Sequence, residues 1–354
     1  MDNSQQCTTC FFTKEFPGIE IGENGQCNLC SFSQAAPPPA SRASRDIAEL
    51  LRISDDLKSR NGRYDCIIGA SGGLDSSYVI YVAKKVLRLN PLVVYYNHGL
   101  THEIADRNLV SLCQDLDIEL RTFRSKDHYD QKYVQSIIKA FRDTDFYWGV
   151  CFFCHYILAA VLYRTALQEN ISTVLTSTNY YEAKVDVPTR FRFEVIGKSL
   201  RKRGVLNLIK TLFHLIVAFS NLTLLKLKYY LPPITNLFRR APNKPTNLDT
   251  VIITPYLGLD IPTMVATLES ETGWRSPQPP QLPMRFDCMI EDSLINRTYQ
   301  KATGITVHGI ICNHMIYAGL GTKDELSATV THSKEMIECE MSTVYDILGL
   351  PRNG

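Results

Sequence analysis

Between residues 45 and 195 the chain alternates two hydrophobic patterns. Short apolar runs predict strands at Tyr64 to Ala70, Leu92 to Tyr96, Ile118 to Phe123 and Val174-Leu175. Between them, apolar positions recur at helical spacing: Val79, Ile80, Val82, Ala83 and Val86, then Leu109 to Leu116, then Tyr156 to Gln168. Strands alternating with helices predict an α/β fold, a parallel sheet covered by helices on both faces. Ligands bind such sheets at the carboxyl ends of the strands. The break after the first strand is the richest in chemistry. Ser71-Gly72-Gly73-Leu74-Asp75-Ser76-Ser77 places glycines and serines between strand and helix. Glycines let successive N–H groups converge on one point. The helix start adds free N–H groups and a positive dipole end, and the serines add hydroxyl donors. This predicts a cradle for a phosphate or pyrophosphate. No Gly-Lys-Ser/Thr follows, so the loop is not a Walker A loop.

The loop resembles SGGxDSS, the signature of the N-type ATP pyrophosphatases, or PP-loop enzymes. That superfamily cleaves ATP between the α- and β-phosphates and transfers AMP to a substrate oxygen. The resemblance implies ATP binding by Ala70, Ser71, Gly72, Gly73, Asp75, Ser76 and Ser77, with Asn97 at the end of the second strand. Thr176 to Glu182 resembles the Gly/Ser-Thr-Asn-x-x-Glu loop beside the nucleotide in these enzymes, which brings in Ser177, Thr178 and Asn179. Asp75, Ser76 and Glu182 are the expected catalytic residues. Asp75 suits Mg2+, directly or through water, or serves as a helix-start carboxylate. Glu182 is a second magnesium or substrate candidate, or a solvated loop charge. Lys184 meets a phosphate or is exposed.

Cys7-x-x-Cys10 and Cys27-x-x-Cys30, with sixteen residues between the pairs, have the spacing of a zinc site. Four thiolates would close a tetrahedral Zn2+ site and leave no open position. Gly18, Gly22 and Gly25 fit a small β-ribbon between the knuckles. The competing readings are an iron–sulfur cluster, disulfides or free thiols. A third pair, Cys151 and Cys154, opens the helical stretch before the fourth strand. Some PP-loop sulfur-transfer enzymes carry a C-x-x-C here that holds a 4Fe–4S cluster with a distant third cysteine. The resemblance implies Cys288 for that role, with Cys312 as the alternative. Three thiolates would leave one iron open. Buried, unreactive thiols are the plain alternative.

The N-terminal run Cys7-x-x-Cys10, Phe16-Pro17-Gly18, Ile19-x-Ile21 and Glu23-Asn24-Gly25-x-Cys27-Asn28-x-Cys30 is similar to the N-acetyl sugar amidotransferase family. So are the SGGxDSS loop, the Cys-x-x-Cys-His segment, Phe286-Asp287-Cys288, Gly304-Ile305 and Gly319 through Glu325. That resemblance implies an ATP-dependent, AMP-forming transferase that replaces a carbonyl or amide oxygen with nitrogen from ammonia. No glutaminase motif is visible, so a partner protein or solution would supply the ammonia. Ile311 to Met315 and Gly321 to Glu325 lack the arginines expected there. If those arginines hold a nucleotide sugar, the acceptor here is a different small molecule. The cysteines keep ATP-dependent sulfur transfer open, to a small molecule or tRNA, with a sulfur-donor partner. A non-catalytic nucleotide-binding regulator is the third reading.

The 354 residues, net charge of +2 and 45% hydrophobic content describe an ordinary globular protein. Eleven cysteines, six of them in three C-x-x-C pairs, point to metal in a reducing cytoplasm, and the polar, cysteine-bearing start predicts no signal peptide. The expected division is a zinc module at 1–34, the PP-loop domain at 45–195, a basic apolar helical insertion at 196–246, and a helical substrate region at 247–354. Residues 198–244 hold ten Lys or Arg and no Asp or Glu. The longest stretch there free of Lys and Arg, Thr211 to Leu225, is fifteen residues, short of the ~20 needed to span a bilayer. The segment suits packing on the sheet, a homodimer contact, a peripheral membrane surface or a nucleic-acid backbone.

Overall fold

The computed structural model describes residues 6–35 and 45–352, apart from 61, 148, 178–203, 230, 240, 258–259 and 284. Five strands form one parallel sheet: β1 (Cys66–Ala70), β2 (Pro91–Tyr96), β3 (Leu120–Phe123), β4 (Thr173–Thr176) and β5 (Asp249–Ile252), in the order β3-β2-β1-β4-β5. Side chains alternate between two cores. Cys66, Ile68, Val93 and Tyr95 face one; Ile67, Leu92, Val94 and Tyr96 face the other. Every residue of β2 is buried, which is why its sequence is a continuous apolar run rather than an alternating one.

Helices cover both faces. In chain order they are α1 (Asn28–Ala35), α2 (Ile47–Ser59), α3 (Leu74–Tyr81), α4 (Glu103–Asp115), α5 (Tyr129–Phe141) and α6 (Phe152–Gln168). There follow α7 (Val205–Lys228), α8 (Ile261–Glu271), α9 (Asn296–Thr303), α10 (Val307–Tyr317) and α11 (Lys323–Ile347). Local chemistry sets several starts. Asp46 accepts from the Ala48 N–H at 2.9 Å to cap α2, and Thr322 with Glu325 forms a capping box on α11. The strand order reverses at β1, so the crevice between the ends of β1 and β4 is the expected ligand position.

Two arrangements depart from what the sequence pattern predicts. The sheet gains β5, which pairs with β4 from Thr173–Asp249 to Thr176–Ile252 after the long insertion. The N-terminal segment makes only isolated bridges, Gln6–Thr13 and Ile21–Cys27, in place of ribbon strands. Its cysteines share a core with Ile310, Ile311 and Leu326 of α10 and α11. The Phe11 N–H donates to Asn313 at 2.7 Å, and the Lys323 ammonium donates to the Cys7 carbonyl at 2.6 Å. The helix at the heart of the basic insertion, α7, packs along α5 and touches α6. Its 24 residues make it long and apolar enough to cross a membrane by length and composition, more than the fifteen-residue count from the sequence.

Candidate active site

The Ser71–Ser77 loop lies at the carboxyl end of β1 and runs straight into α3. Gly72 has a φ of +87°, and a Cβ there would stand 2.0 Å from the Ala105 carbonyl oxygen. Only glycine fits, because α4 crosses so close. On its other side, the buried indole of Trp274 donates to the Gly72 carbonyl at 3.1 Å. Gly72 therefore fixes the loop as well as shaping it. The hydroxyls of Ser71 and Ser76 lie 3.4 Å apart, and the Ser76 hydroxyl also reaches the Ser71 N–H and the Gly73 carbonyl. Ser77 is fully buried and its hydroxyl has no hydrogen-bond partner. Asp75 sits in the first turn of α3, where the helix dipole favours its charge.

The loop forms one wall of a cavity of about 400 Å³. Ala70, Ser71, Gly73, Asp75 and Ser76 line it, as does Ser177 from the end of β4. Cys151 and Cys154 enter from the start of α6, and Cys288 enters from the segment paired with Thr101. All three cysteines of the sequence-predicted set thus face one space. Cys312 is buried in α10 and does not line it. Burial pushes the Cys154 and Cys288 thiols well above the ordinary range, with nearby carboxylates and the other thiols adding to the rise. Thr178, Asn179, Glu182 and Lys184 lie outside the described residues. Asn97 is turned to structural work: its amide donates to the Asp106 carboxylate at 3.0 Å and its oxygen accepts from the Gly99 N–H at 2.8 Å.

Sequence reasoning missed Asp287 and Glu291 as members of this site. The Asp287 Oδ2 lies 3.4 Å from where a Cβ on Gly73 would stand, and the nearby Ser71 hydroxyl favours its charged form. A carboxylate therefore hangs over the phosphate cradle. Burial raises its pKa, and the neighbouring Glu291 charge adds to the rise. Arg285, which also lines the cavity, pairs with Glu291. Carboxylates set beside a pyrophosphate cradle would repel a triphosphate unless a divalent cation lay between them. Asp75, Asp287 and Glu291 supply carboxylate oxygens along this cavity, but among the described residues only the N-terminal cysteines are gathered closely enough to form a set of three or more ligands. The only sequence signal was the Arg285-Phe286-Asp287-Cys288 run, which points to the cysteine before the aspartate.

A second centre lies at the N-terminus. The sulfurs of Cys7, Cys10, Cys27 and Cys30 are all buried and lie within 4.8 Å of one another. Cys7 and Cys30 are 3.7 Å apart, and Cys10 and Cys27 are 3.8 Å apart. Four sulfurs bound at ~2.3 Å to one tetrahedral zinc would stand about 3.8 Å apart. The residues therefore fit zinc. Backbone N–H groups of Thr9, Cys27 and Cys30 point at ligand sulfurs, and the Tyr317 hydroxyl reaches Cys10 at 3.4 Å. These contacts stabilise thiolate charge. The hydrogen bond between Cys10 and Cys27 pushes the Cys10 thiol up to about 12 and the Cys27 thiol down.

Comparison with known proteins accords with the loop geometry. Residues 47–209 match the family described as NAD synthase, a PP-loop ATP pyrophosphatase family. The match takes in the Ser71–Ser77 loop and the first four strands of the sheet. The chain is 27% identical over 127 residues to an uncharacterised protein of Methanocaldococcus jannaschii, covering 35% of this chain and 44% of that one. It therefore spans less than half the length of that relative. Two solved structures are similar at 16% identity. The NH3-dependent NAD synthetase from Campylobacter jejuni in complex with nitrate has a TM-score of 0.29, covering 54% of this chain and 99% of that one. The NMN synthetase from Francisella tularensis has a TM-score of 0.28, covering 53% and 96%.

Proposed function

We propose that this chain is an ATP-dependent, AMP-forming transferase of the N-acetyl sugar amidotransferase type. It adenylates a carbonyl or amide oxygen of a small molecule and replaces that oxygen with nitrogen from ammonia. One observation carries the reading: a single cavity is bounded by the Ser71–Ser76 loop on one side and by Arg285, Asp287 and Glu291 on the other. Such a space suits a phosphate chain and an acceptor together, which is what in-line attack requires.

The loop N–H groups, the start of α3 and the hydroxyls of Ser71 and Ser76 hold the pyrophosphate that leaves. Asp75 and Asp287, the carboxylates nearest the loop, would hold Mg2+, which supplies charge screening for the triphosphate. The acceptor oxygen attacks the α-phosphorus, the bond to the β-phosphate oxygen breaks, and pyrophosphate departs. Ammonia then adds to the activated carbon and AMP leaves with the former carbonyl oxygen, while the nitrogen gives up a proton. Oxygen-18 placed in the acceptor carbonyl must therefore appear in AMP. Unlabelled AMP formed together with aminated product would overturn this route.

A second reading has its own support: Cys151, Cys154 and Cys288 line the same cavity. Three thiols there suit a 4Fe–4S cluster or a bound sulfur, which would make the second nucleophile sulfur rather than nitrogen. Anaerobic purification, absorption spectra and iron analysis separate the readings. Iron bound in a Cys288-dependent manner favours sulfur transfer. A colourless protein that aminates its acceptor favours ammonia.

A further inference from the structure

The helix α7 has two apolar faces, and among the described residues only one is covered. Thr211, Ala218, Leu222 and Leu225 are buried on the side that meets α5. On the other side, Val205, Ile209, Leu212, Ile216 and Phe219 form an exposed stripe at helical spacing. Val205 is 75% exposed and Leu212 is 59% exposed. The stripe gains more surface near its end. The Lys226 ammonium donates to the carbonyls of Leu237 and Arg239, at 3.0 and 2.8 Å, and so ties the turn at Ile234–Phe238 to the helix. Ile234 and Phe238 on that turn are 64% and 86% exposed. A continuous apolar surface of this kind marks an interaction site.

We infer that this surface docks on an anionic membrane, with α7 lying in the plane of the headgroups. Charge selects the occupant. Lys210 on α7, Arg239 directly after the Ile234–Phe238 turn, and Lys244 are all exposed within the same segment. Across residues 198–244 the sequence has no carboxylate. A symmetric pairing with a second copy would bring two such segments together with no acid to offset their charge. An anionic headgroup layer supplies that charge, and the acyl boundary takes the stripe. A transbilayer path is incompatible with this packing, because one face of α7 is occupied by α5 and carries buried Lys226. Docking would also bring the catalytic cavity near the bilayer. Tyr229, which follows α7, packs edge-on against Tyr96 at 5.9 Å, and Tyr96 lines that cavity. The inference stands whichever nucleophile the enzyme uses.

Flotation of the full chain with phosphatidylcholine vesicles, with and without phosphatidylglycerol, tests it. The chain should float with the anionic vesicles at low salt and be released as salt rises. Ile216→Asp should weaken the partition roughly tenfold or more. Lys210→Gln and Arg239→Gln should each weaken it by roughly fivefold on anionic vesicles alone. All three positions are exposed, so circular dichroism and the urea midpoint should match the wild type. Three outcomes overturn the inference. One is a chain that ignores anionic vesicles at low salt. Another is a chain that light scattering shows as a dimer, split by Ile216→Asp, with no vesicle binding. The third is a chain that resists extraction from vesicles by alkaline carbonate, which would mean a span.

Discussion

The indole N–H of Trp274 donates to the carbonyl of Gly72 at 3.1 Å, joining the segment after α8 to the phosphate loop. The contact is buried, so the carbonyl has no water to turn to. Trp274→Phe keeps most of the packing and removes the donor. It should cost about 1–3 kcal/mol of stability by urea denaturation and raise the KM for ATP. Gly72→Ala should be far worse, because the new Cβ meets the Ala105 backbone and the positive φ disfavours it. A Gly72→Ala protein that folds and turns over normally would show that the loop adopts another path.

The Tyr317 hydroxyl reaches the sulfurs of Cys10 and Cys27 at 3.4 and 3.9 Å. Tyr317→Phe should leave the chain folded and weaken zinc affinity by roughly 10–100-fold, read by competition with a chelating dye. Cys10→Ser should lose the metal altogether. Because the knuckles share a core with α10 and α11, that loss should also lower the thermal midpoint of the whole chain, not of a separate module. Full zinc content in Cys10→Ser would rule out the four-thiolate site.

His98 is buried beside the cavity and accepts from the Leu100 N–H at 3.2 Å. Burial takes its pKa down to about 4 from 6.5. The folded state therefore holds His98 neutral, and the unfolded state binds the proton first. Stability from this residue is complete above pH 6.5 and is lost as pH falls from 6.5 to about 4. The loss amounts to about 3 kcal/mol at most. Urea melts across this range should show the slope, and His98→Gln should flatten it. An unchanged slope in the variant would assign the acid sensitivity elsewhere.

The parts of the site that can be read from sequence are those set by local pattern. Ser71 to Ser77 follows an apolar strand and opens a helix, so its role is written within a few residues. The two N-terminal cysteine pairs are legible for the same reason: spacing alone brings each pair together. Asp287 and Trp274 are not legible, because they reach the loop through tertiary packing across about 200 residues of chain, and Glu291 lines the cavity from the same distant segment. The fifth strand was hidden by the insertion before it, and Asp249 to Ile252 is short and half polar. Asn97 shows the opposite hazard. A polar residue at a strand end looks like a ligand contact, yet its side chain holds the turn through Asp106 and Gly99. The segment 198–244 contains no acid, yet Lys226 is buried on carbonyls and Lys228 pairs with Asp127 from outside it at 2.6 Å.

The central claim is that this loop splits ATP between the α- and β-phosphates, with Asp75 and Asp287 supporting the charge. Phosphorus NMR of Mg2+-ATP, incubated with the wild-type chain, ammonium and a panel of acetamido acceptors, tests it most directly. The account predicts AMP and pyrophosphate in equal amounts, formed at a rate lowered about 100-fold or more by Asp75→Ala and by Asp287→Asn. ADP and orthophosphate as the products, or AMP formation untouched by both substitutions, would contradict it.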